Sequence, residues 1–161
     1  MNAKFNALLP KSEPHLLYAN DAAALTQLES ACFSSSWTER QFTEAFNRTD
    51  FYAFGINLDG QLASYVSLSV MPPDAEIQNI ATKVVFRRQG LAYALLKNIL
   101  AKLPGWGVER LFLEVGQNNE AANALYFSLG FKCLGRRIQY YQATSEDALL
   151  MVYDYAAQKG I

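Results

Sequence analysis

Hydrophobic and polar positions change their period along this chain, and each change predicts a different element. Residues 16–19, Leu-Leu-Tyr-Ala, read as a short strand, and Asn20 or Asp21 can cap a helix over 22–31. A serine-rich break at 34–36 follows. Thr38 with Gln41 has capping-box spacing and opens a second helix to about Phe46. Residues 51–56 are aromatic and β-branched, Asp59-Gly60 is a hairpin signal, and 62–70 alternates up to Pro72-Pro73. Residues 76–81 alternate again, which completes an antiparallel front. The period then becomes helical: Leu91, Leu95, Ile99 and Leu103 share one stripe, widened by Leu96 and Leu100 and stopped at Pro104-Gly105. Residues 111–115 form a short apolar strand. Asn118 or Asn119 can cap a helix through Ala122, Leu125 and Leu129, closed by Gly130. The last two strands fall at 131–139 and 149–155. The strand–helix–strand run over 77–115 predicts a right-handed crossover inside a mixed α/β sheet.

Composition narrows the function. The chain has 161 residues, 51% hydrophobic and 18% charged, which suits one domain over 1–161 with a buried core. Residues 1–14 contain Lys4, Lys11 and Glu13 and no apolar stretch of signal length, so they read as a flexible leader without a secretion signal. No long uncharged apolar run predicts a membrane span. With 14 basic and 15 acidic residues there is no basic surplus for gripping nucleic acid. Two cysteines, Cys32 and Cys133, and one histidine, His15, make neither a disulfide framework nor a zinc site. Both thiols read as small buried hydrophobes in a reducing cytoplasm, and His15 as a loop surface residue.

The segment 87–92, Arg-Arg-Gln-Gly-Leu-Ala, follows a strand and opens an amphipathic helix. Unpaired amides and the helix dipole favour an anion there. Gly90 and Ala92 keep the backbone approachable, and Arg87, Arg88 and Lys83 add positive charge. This predicts a site for pyrophosphate or another compact polyanion. The glycine patterns of P-loop and Rossmann sites are both absent.

Arg87-x-x-Gly90-x-Ala92 resembles the pyrophosphate loop of the GNAT-fold N-acetyltransferases. The likeness extends to Glu76-x-x-Asn79-Ile80-Ala81, Leu113-Glu114-Val115, Asn119 and Ala124-Leu125-Tyr126-x-x-Leu129-Gly130-Phe131. It also takes in Arg136-Arg137-x-x-Tyr140-Tyr141, Glu146-Asp147-Ala148-x-x-Met151 and, more faintly, Ser36-Trp37-Thr38. In these segments the chain is similar to the bacterial ribosomal-protein-alanine N-acetyltransferases. The resemblance implies one GNAT-type domain. Its mixed, largely antiparallel sheet would have about seven strands, split between the fourth and fifth, and about four flanking helices.

The resemblance also implies site roles. Acetyl-CoA would be the donor, with no metal. Ile80, Ala81 and Thr82 would offer backbone groups to the pantetheine arm. Arg88, Gln89, Gly90, Leu91, Ala92 and Tyr93 would wrap the pyrophosphate, and Asn119 would also touch the coenzyme. Glu114 would be the general base and Tyr126 the general acid, with Glu76 a rival base. The Arg136-to-Tyr141 segment would help cover the acceptor peptide. Departures from the subfamily pattern fall at Ser36, Thr82-Lys83-Val84, Gly116 and Gln142. Gly116 stands where the subfamily has an arginine near Glu114.

The residue chemistry bears on the same two side chains. Acyl transfer to an amine needs a proton acceptor, and burial of Glu114 on an apolar strand would raise its pKa into a useful range. A strand-end surface charge is the alternative. Tyr126, among Ala122, Leu125 and Leu129, is either a proton donor to the leaving thiolate or a core aromatic. The expected function is direct acetyl transfer to a protein N-terminal α-amine, that of a small-subunit ribosomal protein beginning with alanine. The alternatives are acetylation of a small-molecule amine or another N-terminus, and a non-catalytic acyl-CoA-binding module.

Overall fold

The computed structural model describes residues 13–141, with side chains to 138, and residues 146–159. The expected leader therefore lies outside the described residues as far as residue 12. So do Gln142 and the side chains of Tyr140 and Tyr141. Among the described residues seven strands form one sheet: β1 (His15–Leu16), β2 (Phe51–Leu58), β3 (Gln61–Met71), β4 (Asp74–Thr82), β5 (Arg110–Gly116), β6 (Lys132–Tyr141) and β7 (Glu146–Asp154). Their order is β1-β2-β3-β4-β5-β7-β6. Five α-helices accompany them: α1 (Ala22–Cys32), α2 (Glu39–Phe46), α3 (Leu91–Lys102), α4 (Glu120–Leu129) and α5 (Tyr155–Gln158).

The mixed topology matches the expectation. The pairs β1–β2, β2–β3, β5–β7 and β6–β7 are antiparallel. β4 and β5 are parallel, joined by a crossover through α3 as parallel neighbours require. Their register covers only Asp74↔Arg110 to Glu76↔Phe112, and each strand continues beyond it. This is the split expected between the fourth and fifth strands.

Contacts gather the described residues into two compact units, one made of those up to Ser69 with Gln78–Ile99, the other of Val70–Ile77 with those from Leu100 onward. In the first, α1 and α2 bury Leu25, Leu28 and Phe42 against Phe51, Ala53 and Tyr65 of β2 and β3. Aromatic rings finish that core: Trp37 lies 5.2 Å from Phe42 and stacks at 6.3 Å on Phe51. The Thr38 capping box is present, with Thr38 Oγ1 accepting from Gln41 N–H and Gln41 Oε1 from Thr38 N–H. In the second unit, β5 alternates, burying Leu111, Leu113 and Val115 and turning Phe112 and Glu114 to the other face. A train of rings, Tyr126–Phe131–Tyr153–Tyr155, packs edge to face at 4.9–5.6 Å.

Several expectations are corrected. The first strand is His15–Leu16 rather than 16–19, because Tyr18 opens a 3-10 turn and its N–H donates to Asp21. Asp21 therefore caps that turn, and its side chain makes no cap bond to α1. His15 is half-buried in a strand, not in a loop. β3 is buried on both faces from Leu62 to Leu68, so its alternation of residue types does not become an exposed face. The final strand begins at Glu146 and ends at Asp154, whose carboxylate accepts from Ala156 N–H and starts the extra helix α5. Cys133 is exposed and Cys32 half-buried, so the buried-hydrophobe reading fails for Cys133, which lies on edge strand β6. No helix among the described residues is long and apolar enough to cross a membrane.

Candidate active site

The loop expected to bind an anion lies in the first unit. β4 ends at Thr82, a 3-10 turn spans Val84–Phe86, and the chain reaches α3 through 87–90. Arg88 and Gly90 both take left-handed backbone, at φ 63° and 78°. A non-glycine residue at positive φ is uncommon and marks a constrained turn. Gly90 O accepts from Ala94 N–H at 3.0 Å, so Gly90 heads the helix. The lead amides of Leu91, Ala92 and Tyr93 consequently lack intrahelical acceptors. A Cβ on Gly90 would meet nothing within 4 Å, so glycine is required there by its dihedral angle, and the backbone faces open space. Arg88, Gln89 and Tyr93 are exposed, while Leu91 and Ala92 are half-buried.

Two of the three expected cations point elsewhere. Arg87 Nε donates to the Thr82 carbonyl at 3.0 Å, bracing the loop onto the strand, and Lys83 Nζ donates to Gln61. Arg88 is an exposed charge on the loop itself.

The strand before the loop is pinned from one side. Lys83 N–H donates to Ala63 O at 2.9 Å, and Ser64 Oγ donates to Ala81 O at 3.0 Å. By strand alternation Ile80 and Thr82 turn their backbone groups to the opposite edge. The Thr82 carbonyl is occupied by Arg87 Nε and by Cys32 Sγ at 3.5 Å.

The second unit holds the expected acid–base residues. Glu114 is half-buried, its side chain 21% exposed, and Oε1 pairs with Arg137 Nη2 at 3.1 Å. An ion pair replaces the apolar enclosure expected from the strand's composition. The register explains the pair. Glu114 and Gly135 both oppose Leu150, and Gly116 and Arg137 both oppose Ala148. These side chains share one sheet face, and small residues at 116, 135 and 148 let Arg137 reach across. Gly135 and Ala148 also leave a cavity of about 300 Å³, lined by them with Glu114, Arg136, Arg137 and Leu150. Arg136 pairs with Asp147 at 3.5 Å beside it. The Arg137 partnership was not foreseen, because nothing local in the sequence sets which residue opposes which.

Tyr126 is 4% exposed on α4, its ring edge-on to Phe131 at 5.6 Å. Asn119 is the α4 N-cap: Oδ1 accepts from Ala122 N–H at 3.2 Å, which settles the choice between Asn118 and Asn119. Glu76, the rival base, is exposed on β4 opposite Phe112. At Gly116 a Cβ would meet Glu146 Oε1 at 2.5 Å, and that carboxylate accepts from Asn118 N–H at 2.7 Å. The glycine therefore makes room for a brace between β7 and the turn after β5. Among the described residues no group of three or more His, Cys, Asp and Glu gathers to hold a metal ion.

Comparison with known proteins agrees with this geometry. The model of the acetyltransferase (GNAT) family matches residues 22–131. The ribosomal protein bS18-alanine N-acetyltransferase of Escherichia coli K12 is 36% identical over 138 residues, 84% of this chain and 92% of that protein. The N-alpha-acetyltransferase RimI of Mycobacterium tuberculosis is 31% identical over 140 residues, 83% of this chain and 87% of that protein. Among solved structures, the Escherichia coli ribosomal-protein-S18-alanine N-acetyltransferase aligns with TM-score 0.81 and 32% identity, over 88% of this chain and 92% of that one. Arabidopsis thaliana NAA60 in complex with acetyl-CoA shares the fold at TM-score 0.78 and 19% identity, over 88% of this chain and 98% of that one. The chain belongs to the GNAT acetyltransferase family, an enzyme built as a single GNAT-fold domain with acetyl-CoA as its donor.

Proposed function

We propose that this enzyme acetylates the N-terminal α-amine of a cytoplasmic protein, a small-subunit ribosomal protein beginning with alanine, with bS18 the first candidate. The observation that carries this reading is the cavity opening on Glu114. Its walls include Gly135 and Ala148, which leave space for a small first side chain beside a carboxylate. The relatives named for bS18-alanine acetylation support the same choice.

The chemistry follows from residue types. Acetyl-CoA supplies an activated thioester. The segment Ile80, Ala81 and Thr82 holds the pantetheine arm as an added strand would be held, through the Ile80 backbone groups and the Thr82 N–H, which face the edge away from β3. The lead amides of Leu91, Ala92 and Tyr93, with Arg88, Gln89 and Gly90, hold the diphosphate at the positive end of α3. Asn119 adds a polar contact to the coenzyme. Glu114 removes a proton from the acceptor ammonium so that its lone pair can attack, and Tyr126 gives a proton to the departing sulfur. An α-amine titrates near ~7.7–8.0, so roughly a tenth is neutral at pH 7, and a modest carboxylate base suffices. No acyl-enzyme is required, because the amine attacks the thioester directly.

The test is mass spectrometry of ribosomal proteins from cells with and without the gene, joined to an in vitro panel with labelled acetyl-CoA. Loss of acetyl from an alanine N-terminus, and labelling of that peptide, support the reading. Labelling of polyamines or free amino acids in place of every peptide overturns it.

A further inference from the structure

Glu29 is a carboxylate with 1% exposure, in the last turn of α1 and outside the acid–base pair. Among the described residues no cation pairs with it. Its oxygens accept three hydrogen bonds instead: from Tyr65 OH on β3, from Asn79 Nδ2 on β4 at 2.9 Å, and from Trp37 N–H at 2.8 Å. A buried carboxylate is costly unless such donors surround it. Here they come from three different stretches of chain. Desolvation and the neighbouring Glu29 push the Tyr65 hydroxyl well above the ordinary phenol range, so it stays a proton donor to the carboxylate.

The geometry points to Glu29 as a positioning residue for the coenzyme strand. Asn79 immediately precedes Ile80, Ala81 and Thr82, and its side chain is tied to α1 through Glu29. Further along the strand, Ser64 and Cys32 hold Ala81 O and Thr82 O. Of the groups bracing this strand, Glu29 is the carboxylate, and its other oxygen fixes the turn carrying Trp37. The strand edge that receives the pantetheine arm is therefore set by an anion buried behind it. This rests on the assignment of residues 80–82 to the coenzyme.

Replacing Glu29 by Gln turns one acceptor into a donor. Whichever way the amide faces, it opposes either Trp37 N–H or the Asn79 amide. Binding of coenzyme A to the full chain, measured by calorimetry, reads the consequence. Glu29→Gln and Asn79→Ala should each weaken binding about five- to tenfold, with turnover at saturating acetyl-CoA within about twofold. The double variant Glu29→Gln/Asn79→Asp restores one donor–acceptor pair with reversed polarity, and should recover most of the affinity. A purely structural role would lower the melting temperature of the variants without this split and without the recovery. Wild-type affinity in Asn79→Ala overturns the proposal, whether or not Glu29→Gln folds. Gly90→Val checks the underlying assignment separately. If it binds coenzyme normally, the loop reading fails. If it loses binding while Asn79→Ala and Glu29→Gln keep theirs, only the positioning role falls.

Discussion

The loop at 87–93 and the Glu114 face solve their chemical problems in opposite ways. The loop is local: seven consecutive residues, with left-handed backbone at Arg88 and Gly90 and one helix start, would present backbone amides to an anion. The Glu114 face is assembled from three strands, and its character depends on Arg137, 23 positions later in the chain, reaching over Ala148. A backbone device can be read from a short motif because dihedral preference and helix termini are local properties. A side-chain device across a sheet cannot, because register is set by packing and turns far from the motif.

The largest effects should come from the Glu114 region. Tyr126→Phe should cut turnover about 100-fold or more while coenzyme A affinity stays within about twofold, as steady-state kinetics and calorimetry will show. Loss of affinity in parallel with turnover would make Tyr126 a packing residue alone. Glu114→Gln should cut turnover at pH 7 by a comparable factor and narrow the deficit as pH rises past the acceptor's own pKa near ~8. A deficit that does not change with pH would remove Glu114 from the proton path.

Gly90→Val comes next, since a β-branched residue at φ 78° is strained whatever space surrounds it. The acetyl-CoA KM should rise about tenfold or more with a smaller change in turnover. Arg137→Ala should do less. Its side chain is 62% exposed, and exposed ion pairs contribute about 0–1 kcal/mol. Thermal stability should barely move, and any change in rate should appear in the acceptor KM.

The smallest effect tests a surface pair away from both regions. Arg48 and Ser69 hold the Asp50 carboxyl down to about 2. A depressed carboxylate contributes stability above its unfolded pKa, near ~3.9, and that contribution is lost as pH falls through the folded value. Asp50→Asn should therefore lower stability slightly at pH 7 and converge on the wild type as pH falls below about 2, in melts run across that range.

Legibility in the sequence followed the same division. The strand order's antiparallel front, the α3 crossover and the Thr38 cap were readable because alternation, helical stripes and caps act over a few residues. The short helix α5 was not, since Tyr155 continues the apolar pattern of β7 and only the Asp154 cap breaks it. Nor was Glu29, which looks like any helix-surface acid in LTQLESAC until Tyr65, Asn79 and Trp37 close over it. The resemblance supplied roles for Glu114 and Tyr126, while the Arg137 pair emerged from strand register.

The most direct test of the account is a crystal structure of the enzyme with coenzyme A bound. The account predicts the diphosphate within hydrogen-bond distance of the amides of residues 88–93, against the first turn of α3. A diphosphate bound anywhere else on the protein would contradict it.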